Sequence, residues 1–278
     1  SDLLAKFPAN DVVLEGYEDR APLDEICSLA ISSLTFLLQR DRGTTSNHQL
    51  IKLLSKAEDI YSHKIRASIR EKIRGIYVIV DPAATNGRSV YEVVESALSG
   101  GVSIVQYRDK QNDRSVFLER SYKIKELCEQ HDSVFVVNDA VDIARLTGAD
   151  FLHVGQSDLP VQEARKLLGN RQGIGRSNDG LEESSESQHD GSDYLAVGAV
   201  YATSTMGKAT RVPVGPSTVE LVKNSVALPV VAIGGIDEST LGEVRASGAD
   251  SACVVSAITM SDNPEAAASR LVAIWDQG

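Results

Sequence analysis

From residue 76 to the C-terminus, short apolar runs alternate with stretches whose apolar residues recur at helical spacing. The runs fall at 76–80, 103–107, 134–137, 151–154, 173–175, 194–197, 230–233 and 252–255, eight in all. Between and after them, 89–98, 115–129, 141–147, 161–168, 180–188, 216–224, 238–246 and 264–275 predict helices. Strand-to-helix alternation at short intervals is the signature of a parallel sheet. Eight such units within about 205 residues predict an α/β protein built as a compact TIM (β/α)8 barrel. Gly-Ala-Asp at 148–150 and 248–250, with Gly-Ser-Asp at 191–193, marks helix-to-strand turns, where glycine ends a helix.

Residues 1–74 break this rhythm. Segments 23–39 and 48–73 have helical spacing and are joined by the turn-like 41–47. They predict a small, mostly helical N-terminal extension of unassigned role, followed by a barrel domain over 75–278. Lys56, Lys64, Arg66, Arg70 and Lys72 lie late in the extension and read as a solvated helix surface, with a binding face as the competing reading. The chain opens on Ser1 rather than Met, so its first residue is expected to be a cloning or processing boundary.

Composition narrows the function classes. A net charge of -11 argues against a general nucleic-acid surface, so any anionic ligand requires a local basic cluster. No apolar run approaches the roughly 20 residues of a membrane span, and the N-terminus lacks a secretory pattern. A cytoplasmic protein with no membrane association is expected. Cys27, Cys128 and Cys253 are scattered and form none of the close pairs used by zinc or redox motifs.

The polar groups that follow the apolar runs are the candidates for chemistry, because a β/α barrel carries its site at the C-terminal ends of its strands. After the second run come Gln106, Arg108 and Lys110, whose alternate spacing presents an amide and two cations together. A solvated loop with a salt bridge among Arg108, Asp109 and Lys110 is the competing reading. After the third and fourth come Asn138, Asp139, Gln156 and Asp158, whose two carboxylates can converge from neighbouring strands. Cations beside a carboxylate pair suit a polyphosphate held partly through Mg²⁺. Each aspartate is also a candidate helix cap, Asp158 before Leu159-Pro160 above all. His153 reads as a packed or hydrogen-bonded strand residue. A hydroxyl-rich loop follows the sixth run, and Gly234-Gly235 and Val255-Ser256 follow the last two. There backbone N–H groups commonly hold a phosphate, and Gly235 permits close approach.

Val-Gln-Tyr-Arg-Asp-Lys at 105–110, Val-Asn-Asp at 137–139, Gly-Ala-Asp-Phe-Leu-His-Val-Gly-Gln-Ser-Asp-Leu-Pro at 148–160, Ile-Gly-Arg-Ser at 174–177, Thr-Ser-Thr at 203–205, Ile-Gly-Gly-Ile at 233–236 and Val-Val-Ser-Ala at 254–257 occur in one order and spacing. From about Gly75 onward the chain thereby resembles the thiamine-phosphate synthase family of TIM-barrel transferases. The resemblance implies joining of hydroxymethylpyrimidine diphosphate to a thiazole phosphate with release of diphosphate. It implies that Gln106, Arg108, Lys110, Asn138 and Ser177 bind the pyrimidine diphosphate, in a segment whose Tyr107 and Asp109 are also expected to contact substrate. Asp139 and Asp158 would hold Mg²⁺. Thr203, Ser204, Thr205, Gly235, Val255 and Ser256 would hold the thiazole phosphate. Arg108, Lys110, Ser177 and Lys208 are the expected catalytic groups, and the partners are small molecules, with self-association left open.

The family usually places a lysine directly after Thr-x-Thr. Here that position is Met206, and Lys208 or Arg211 is expected to substitute. Arg176 supplies an extra cation beside Ser177, and Asn178 is expected to help orient it or simply to mark a helix start. Two alternatives stand beside the synthase reading: a thiazole phosphate tautomerase-like barrel, and a non-catalytic thiazole phosphate sensor. Retention of all six groups of the cation and carboxylate cluster argues against the first, and only Met206 favours the second.

Overall fold

The computed structural model describes residues 27, 30–36, 45–169, 171–203 and 212–277. The chain divides into two units, residues 1–65 and 66–278. Within the first, residues 30–36 are helical, inside the predicted 23–39 segment. Helix α1 (Thr45–Arg70) begins three residues before the predicted start and ends three before the predicted end.

Eight parallel strands close into a barrel in sequence order, as the alternation predicts. They are β1 (Gly75–Val80), β2 (Ile104–Tyr107), β3 (Val134–Asn138), β4 (Phe151–Val154), β5 (Gly173–Asn178), β6 (Tyr194–Val197), β7 (Val230–Ile233) and β8 (Ser251–Val254). Around them lie α2 (Val90–Ser99), α3 (Arg114–Gln130), α4 (Val141–Thr147), α5 (Val161–Leu168), α6 (Leu181–His189), α7 (Pro216–Lys223), α8 (Leu241–Ala246), α9 (Ser256–Thr259) and α10 (Pro264–Gln277). Among the described residues, no helix is long and apolar enough to cross a membrane.

The period-two alternation of each strand divides its side chains between two cores. Ile76, Val78, Val80, Val105, Val137 and Leu152 face the helices, while Tyr77, Ile79, Ile104, Val136, Phe151, Tyr194 and Val231 fill the barrel. Each fully buried aliphatic side chain contributes about 1.5–3 kcal/mol of transfer free energy. On β5 the inner face is glycine for a steric reason. A Cβ on Gly173 would lie 2.2 Å from the Phe151 ring, and one on Gly175 would lie 2.0 Å from the Tyr194 ring. The absent side chains let those two rings occupy the barrel interior.

The strand-distal end is closed by the chain entering β1. Ile69 packs against the inner core and Ile73 belongs to it. Beside them Asp193 gathers three guanidinium groups: Arg66 Nε at 3.5 Å, Arg70 Nε at 4.0 Å and Arg165 Nη2 at 2.5 Å. Arg66 and Arg70 are thus neither solvated nor a free binding face. Their side chains are 16% and 19% exposed, because they turn toward a buried carboxylate that the linear sequence places more than 120 residues away.

Apart from shifts of a residue or two, three departures from the predicted barrel elements have identifiable reasons. β5 runs on through Arg176, Ser177 and Asn178, a polar stretch without an apolar signal, because Ser177 pairs in register with Ala196. Helix α8 starts at Leu241 rather than 238, because Asp237 accepts from Ser239 N and Thr240 N and holds a turn there. Short helix α9 carries no periodic pattern long enough to be seen. By contrast, Ser89 and Glu92 form a reciprocal capping box at the start of α2.

Candidate active site

At the C-terminal end of the strands lie two clefts with a common wall at Ile233. One, of about 320 Å³, is lined by groups from β2 to β5: Gln106, Arg108, Lys110, Asn138, Asp139, His153, Gln156, Asp158 and Ser177. The other, of about 370 Å³, lies over β6 to β8 and is lined by Thr203, Gly234, Gly235, Val255 and Ser256, among others.

Alternation continues past the end of β2. Gln106, Arg108 and Lys110 turn toward the first cleft, and Tyr107 and Asp109 turn away from it. Tyr107 is fully buried in the outer core, its ring 5.2 Å from Phe117. Its hydroxyl donates to Asp109 Oδ2 at 2.7 Å, and burial pushes its pKa well above the usual phenol value. Asp109 also accepts from Gln111 N at 3.1 Å and Asn112 N at 3.0 Å, and lies 3.3 Å from Arg120 Nη1. Burial raises its pKa, but the hydrogen bonds from Tyr107, Asn112 and Gln111 outweigh this and hold it below the ordinary carboxylate value. The expected substrate contacts of Tyr107 and Asp109 are therefore corrected. These residues brace the β2–α3 loop from behind. The competing reading, a salt bridge within Arg108-Asp109-Lys110, is not what forms, because its members face opposite ways and pair elsewhere.

Arg108 instead pairs with Asp81, which follows β1. Asp81 is buried, and its other carboxylate oxygen accepts from Ala83 N at 2.9 Å, capping the turn Pro82–Ala84. Asp81 was not among the sequence candidates, although it is the polar group that directly follows the first apolar run.

Lys110 Nζ lies 2.8 Å from Asp139 Oδ2. Asp139 has φ +57°, and its N–H donates to His153 O at 2.8 Å, which holds the carboxylate against the end of β4. Asp158 caps its own loop by accepting from Gly155 N at 2.8 Å. Burial, followed by its hydrogen bond with Asp139, raises the Asp158 pKa above the ordinary carboxylate value. The two aspartates from neighbouring strands thus meet at the rim. Two oxygen-donor carboxylates in repulsive proximity suit Mg²⁺, which takes one or two carboxylates and completes its shell with water and phosphate oxygens. Among the described residues no group of three or more His, Cys, Asp or Glu side chains gathers as a metal site.

His153 is held on both sides, Nδ1 2.8 Å from Tyr194 Oη and Nε2 3.0 Å from Ser177 Oγ. Gln156 Nε2 donates to Glu183 Oε2 at 2.6 Å. Arg176 points away from the cleft to Asp190, 3.3 Å distant, and buried Asn178 bonds Ser187 of α6 and its own strand. Both expectations for these two residues are corrected by the same alternation that brings Ser177 inward.

In the second cleft Gly235 has φ +66°, and a Cβ there would lie 2.6 Å from Ala202 O. The bare backbone of this turn faces the first turn of α9, where Ser256 begins a helix whose leading N–H groups have no intrahelical acceptor. Ser204, Thr205, Met206, Lys208 and Arg211 lie outside the described residues.

The sequence profile described as thiamine monophosphate synthase matches residues 76–258, the whole stretch that builds both clefts. The chain belongs to the thiamine monophosphate synthase family. Relatives in that family include the thiamine-phosphate synthase of Synechococcus sp. (strain WH7803), 44% identical over 196 residues, which cover 70% of this chain and 55% of that protein. The chain therefore spans just over half the length of that relative. The thiamine-phosphate synthase of Chloroflexus aurantiacus is 39% identical over 199 residues, covering 72% of this chain and 91% of that protein. Among solved structures, thiamine phosphate pyrophosphorylase from Pyrococcus furiosus superimposes with a TM-score of 0.69 at 31% identity, over 75% of this chain and 98% of that one. The family match and the eight-stranded barrel coincide, and residues 1–75 lie outside the matched span.

Proposed function

We propose that the chain is a thiamine-phosphate synthase, which couples hydroxymethylpyrimidine diphosphate to a thiazole phosphate and releases diphosphate. The observation that carries this reading is the convergence of Arg108, Lys110, Asn138, Asp139, Asp158 and Ser177 on one cleft that shares the Ile233 wall with a glycine-lined second cleft. One cleft suits a diphosphate and the other a monophosphate.

In this proposal the C–O bond to the diphosphate breaks first and its electron pair leaves with the diphosphate oxygen. The pyrimidine-methyl cation left behind is captured by the lone pair of the thiazole nitrogen. No proton need be transferred for the carbon–nitrogen bond to form. The protein's task is to stabilise charge on the leaving group and to hold the nucleophile close. Arg108, fixed by Asp81, presents a planar fork to phosphate oxygens, and Lys110 and Ser177 add a charge and a hydroxyl. Asp139 and Asp158 would hold Mg²⁺, which when bound supplies further positive charge to the diphosphate. Gln106 and Asn138 would orient the pyrimidine. Gln106 Oε1 is buried without a hydrogen-bond partner, so an amino group placed there removes a cost of about 1–3 kcal/mol. Thr203, Gly235, Val255 and Ser256 would cradle the thiazole phosphate, with Ser204 and Thr205 beside them in sequence.

The deciding experiment is an assay for diphosphate released from the two substrates together, with and without Mg²⁺. Release that requires both substrates and the metal supports the synthase. A thiazole phosphate tautomerase or a thiazole phosphate sensor would release none.

A further inference from the structure

We propose that a buried hydrogen-bond chain from Gln106 to Ser177 couples recognition of an amino group on the pyrimidine to recognition of the diphosphate, by setting which way the Ser177 hydroxyl points. The inference rests on the synthase reading of the first cleft. Both ends of the chain line that cleft. Gln106 Nε2 donates to Tyr77 Oη at 2.6 Å, and Tyr77 Oη lies 3.1 Å from Tyr194 Oη. Tyr194 Oη lies 2.8 Å from His153 Nδ1, and His153 Nε2 lies 3.0 Å from Ser177 Oγ. The links come from β2, β1, β6, β4 and β5, so the chain crosses the barrel beneath the cleft.

Its polarity follows from counting protons. Tyr77 and Tyr194 are 2% and 0% exposed, and burial holds both phenols protonated, so each has one proton to give. A neutral imidazole likewise has one N–H and one lone pair. With His153 neutral, only two arrangements put a proton in every link and leave no buried phenol proton unused, one in each sense. A mixed arrangement leaves a link without a proton or a buried phenol proton without an acceptor, at a cost of about 1–3 kcal/mol.

In the first, the Gln106 amide N–H starts the series. Tyr77 donates to Tyr194, Tyr194 to His153 Nδ1, and the His153 Nε2–H to Ser177 Oγ. Ser177 then has its own proton free to donate to a phosphate oxygen. In the second, the Gln106 amide is rotated and accepts from Tyr77, every bond reverses, and Ser177 spends its proton on His153. It then offers only lone pairs, which repel a phosphate.

The end that selects between them is Gln106. In the first sense its Oε1 is the buried acceptor without a partner, 2% exposed as a residue and lining the cleft. A ligand amino group satisfies that oxygen and locks the first sense. A ligand without one leaves the oxygen unsatisfied and weakens the bias. Tyr77, Tyr194 and His153 are thus positioning residues for a hydroxyl that the two tyrosines never touch.

The test is a double-mutant cycle on the full chain, with inorganic diphosphate as the probe at saturating Mg²⁺ and aminopyrimidine alcohol. In the wild type, Ser177→Ala should weaken diphosphate binding by about tenfold, the loss of a hydrogen bond to a charged group. In a Tyr194→Phe background, which cuts the chain but keeps the ring, the same change should cost no more than about twofold. Replacing the aminopyrimidine by its desamino analogue should reduce the Ser177 effect in the wild type and leave it unchanged in Tyr194→Phe. Tyr77→Phe cuts the chain one link earlier and serves as the second variant if Tyr194→Phe does not fold. An equal Ser177→Ala effect in both backgrounds overturns the inference while wild-type turnover stands. Absence of Mg²⁺-dependent turnover in the wild type overturns the synthase reading and this inference together.

Discussion

The guanidinium of Arg108 is clamped to the buried carboxylate of Asp81, so the cation after β2 is aimed by the residue after β1. Arg108→Ala is expected to lower kcat/KM about a hundredfold, the usual loss for one charge-assisted contact that strengthens in the transition state. Asp81→Asn keeps the cap on Ala83 but releases the guanidinium. It should lower kcat/KM by about tenfold with a smaller change in melting temperature than Asp81→Ala. Steady-state kinetics beside thermal melts will separate the two roles, and an unchanged kcat/KM in Asp81→Asn removes Asp81 from the site.

Asp139 and Asp158 are expected to act as one unit toward the metal. Asp139→Ala and Asp158→Ala should each reduce turnover about a hundredfold or more, and their double variant should add little, because removing either partner already breaks the site. Calorimetric titration with Mg²⁺ and inorganic diphosphate should show the same non-additivity. Independent, multiplying losses would speak against a shared ion.

Asp109 should matter for stability rather than chemistry. Asp109→Asn leaves Arg120 and two loop N–H groups facing an amide, and should cost about 3 kcal/mol at neutral pH with little change in KM. The pH dependence has a definite sign. The folded-state pKa of Asp109 is depressed, so its contribution is present above the ordinary carboxylate value of about 3.9 and is lost as pH falls through its lower folded value. Urea titrations of wild type and Asp109→Asn should therefore converge in acid. A constant difference across pH would contradict the assignment.

Gly235→Ala introduces a Cβ 2.6 Å from Ala202 O and 2.8 Å from Tyr201 Cβ at a position with φ +66°. The turn must shift, and the second cleft with it. The KM for the thiazole phosphate should rise about tenfold or more while that for the pyrimidine diphosphate changes little. Equal effects on both would mean that the two clefts do not divide the substrates.

Lys208→Ala tests the family lysine that is absent at Met206. A loss of about tenfold in kcat is expected if Lys208 supplies the missing cation. An unchanged rate excludes that role and turns attention to Arg211.

The sequence by itself determined the βα rhythm, the number of strands and the stretches that carry polar groups at their ends. These are local properties, since period-two and helical spacing are written in neighbouring residues. It also directed Gln106, Arg108, Lys110, Asn138, Asp139 and Asp158 to one rim, because a barrel brings the ends of successive strands together, while Ser177 was added by the family resemblance. Tertiary structure decided what depends on register and closure. Tyr107 and Asp109 face the helices because alternation persists past β2, and Arg176 and Asn178 face outward for the same reason on β5. Asp81 joins Arg108, and Lys110 joins Asp139, only because parallel pairing sets their strands side by side. The hydrogen-bond chain from Gln106 through Tyr77, Tyr194 and His153 to Ser177 is the clearest case. Its members are separated by up to 117 residues and meet inside a closed barrel, where no local pattern records their contact.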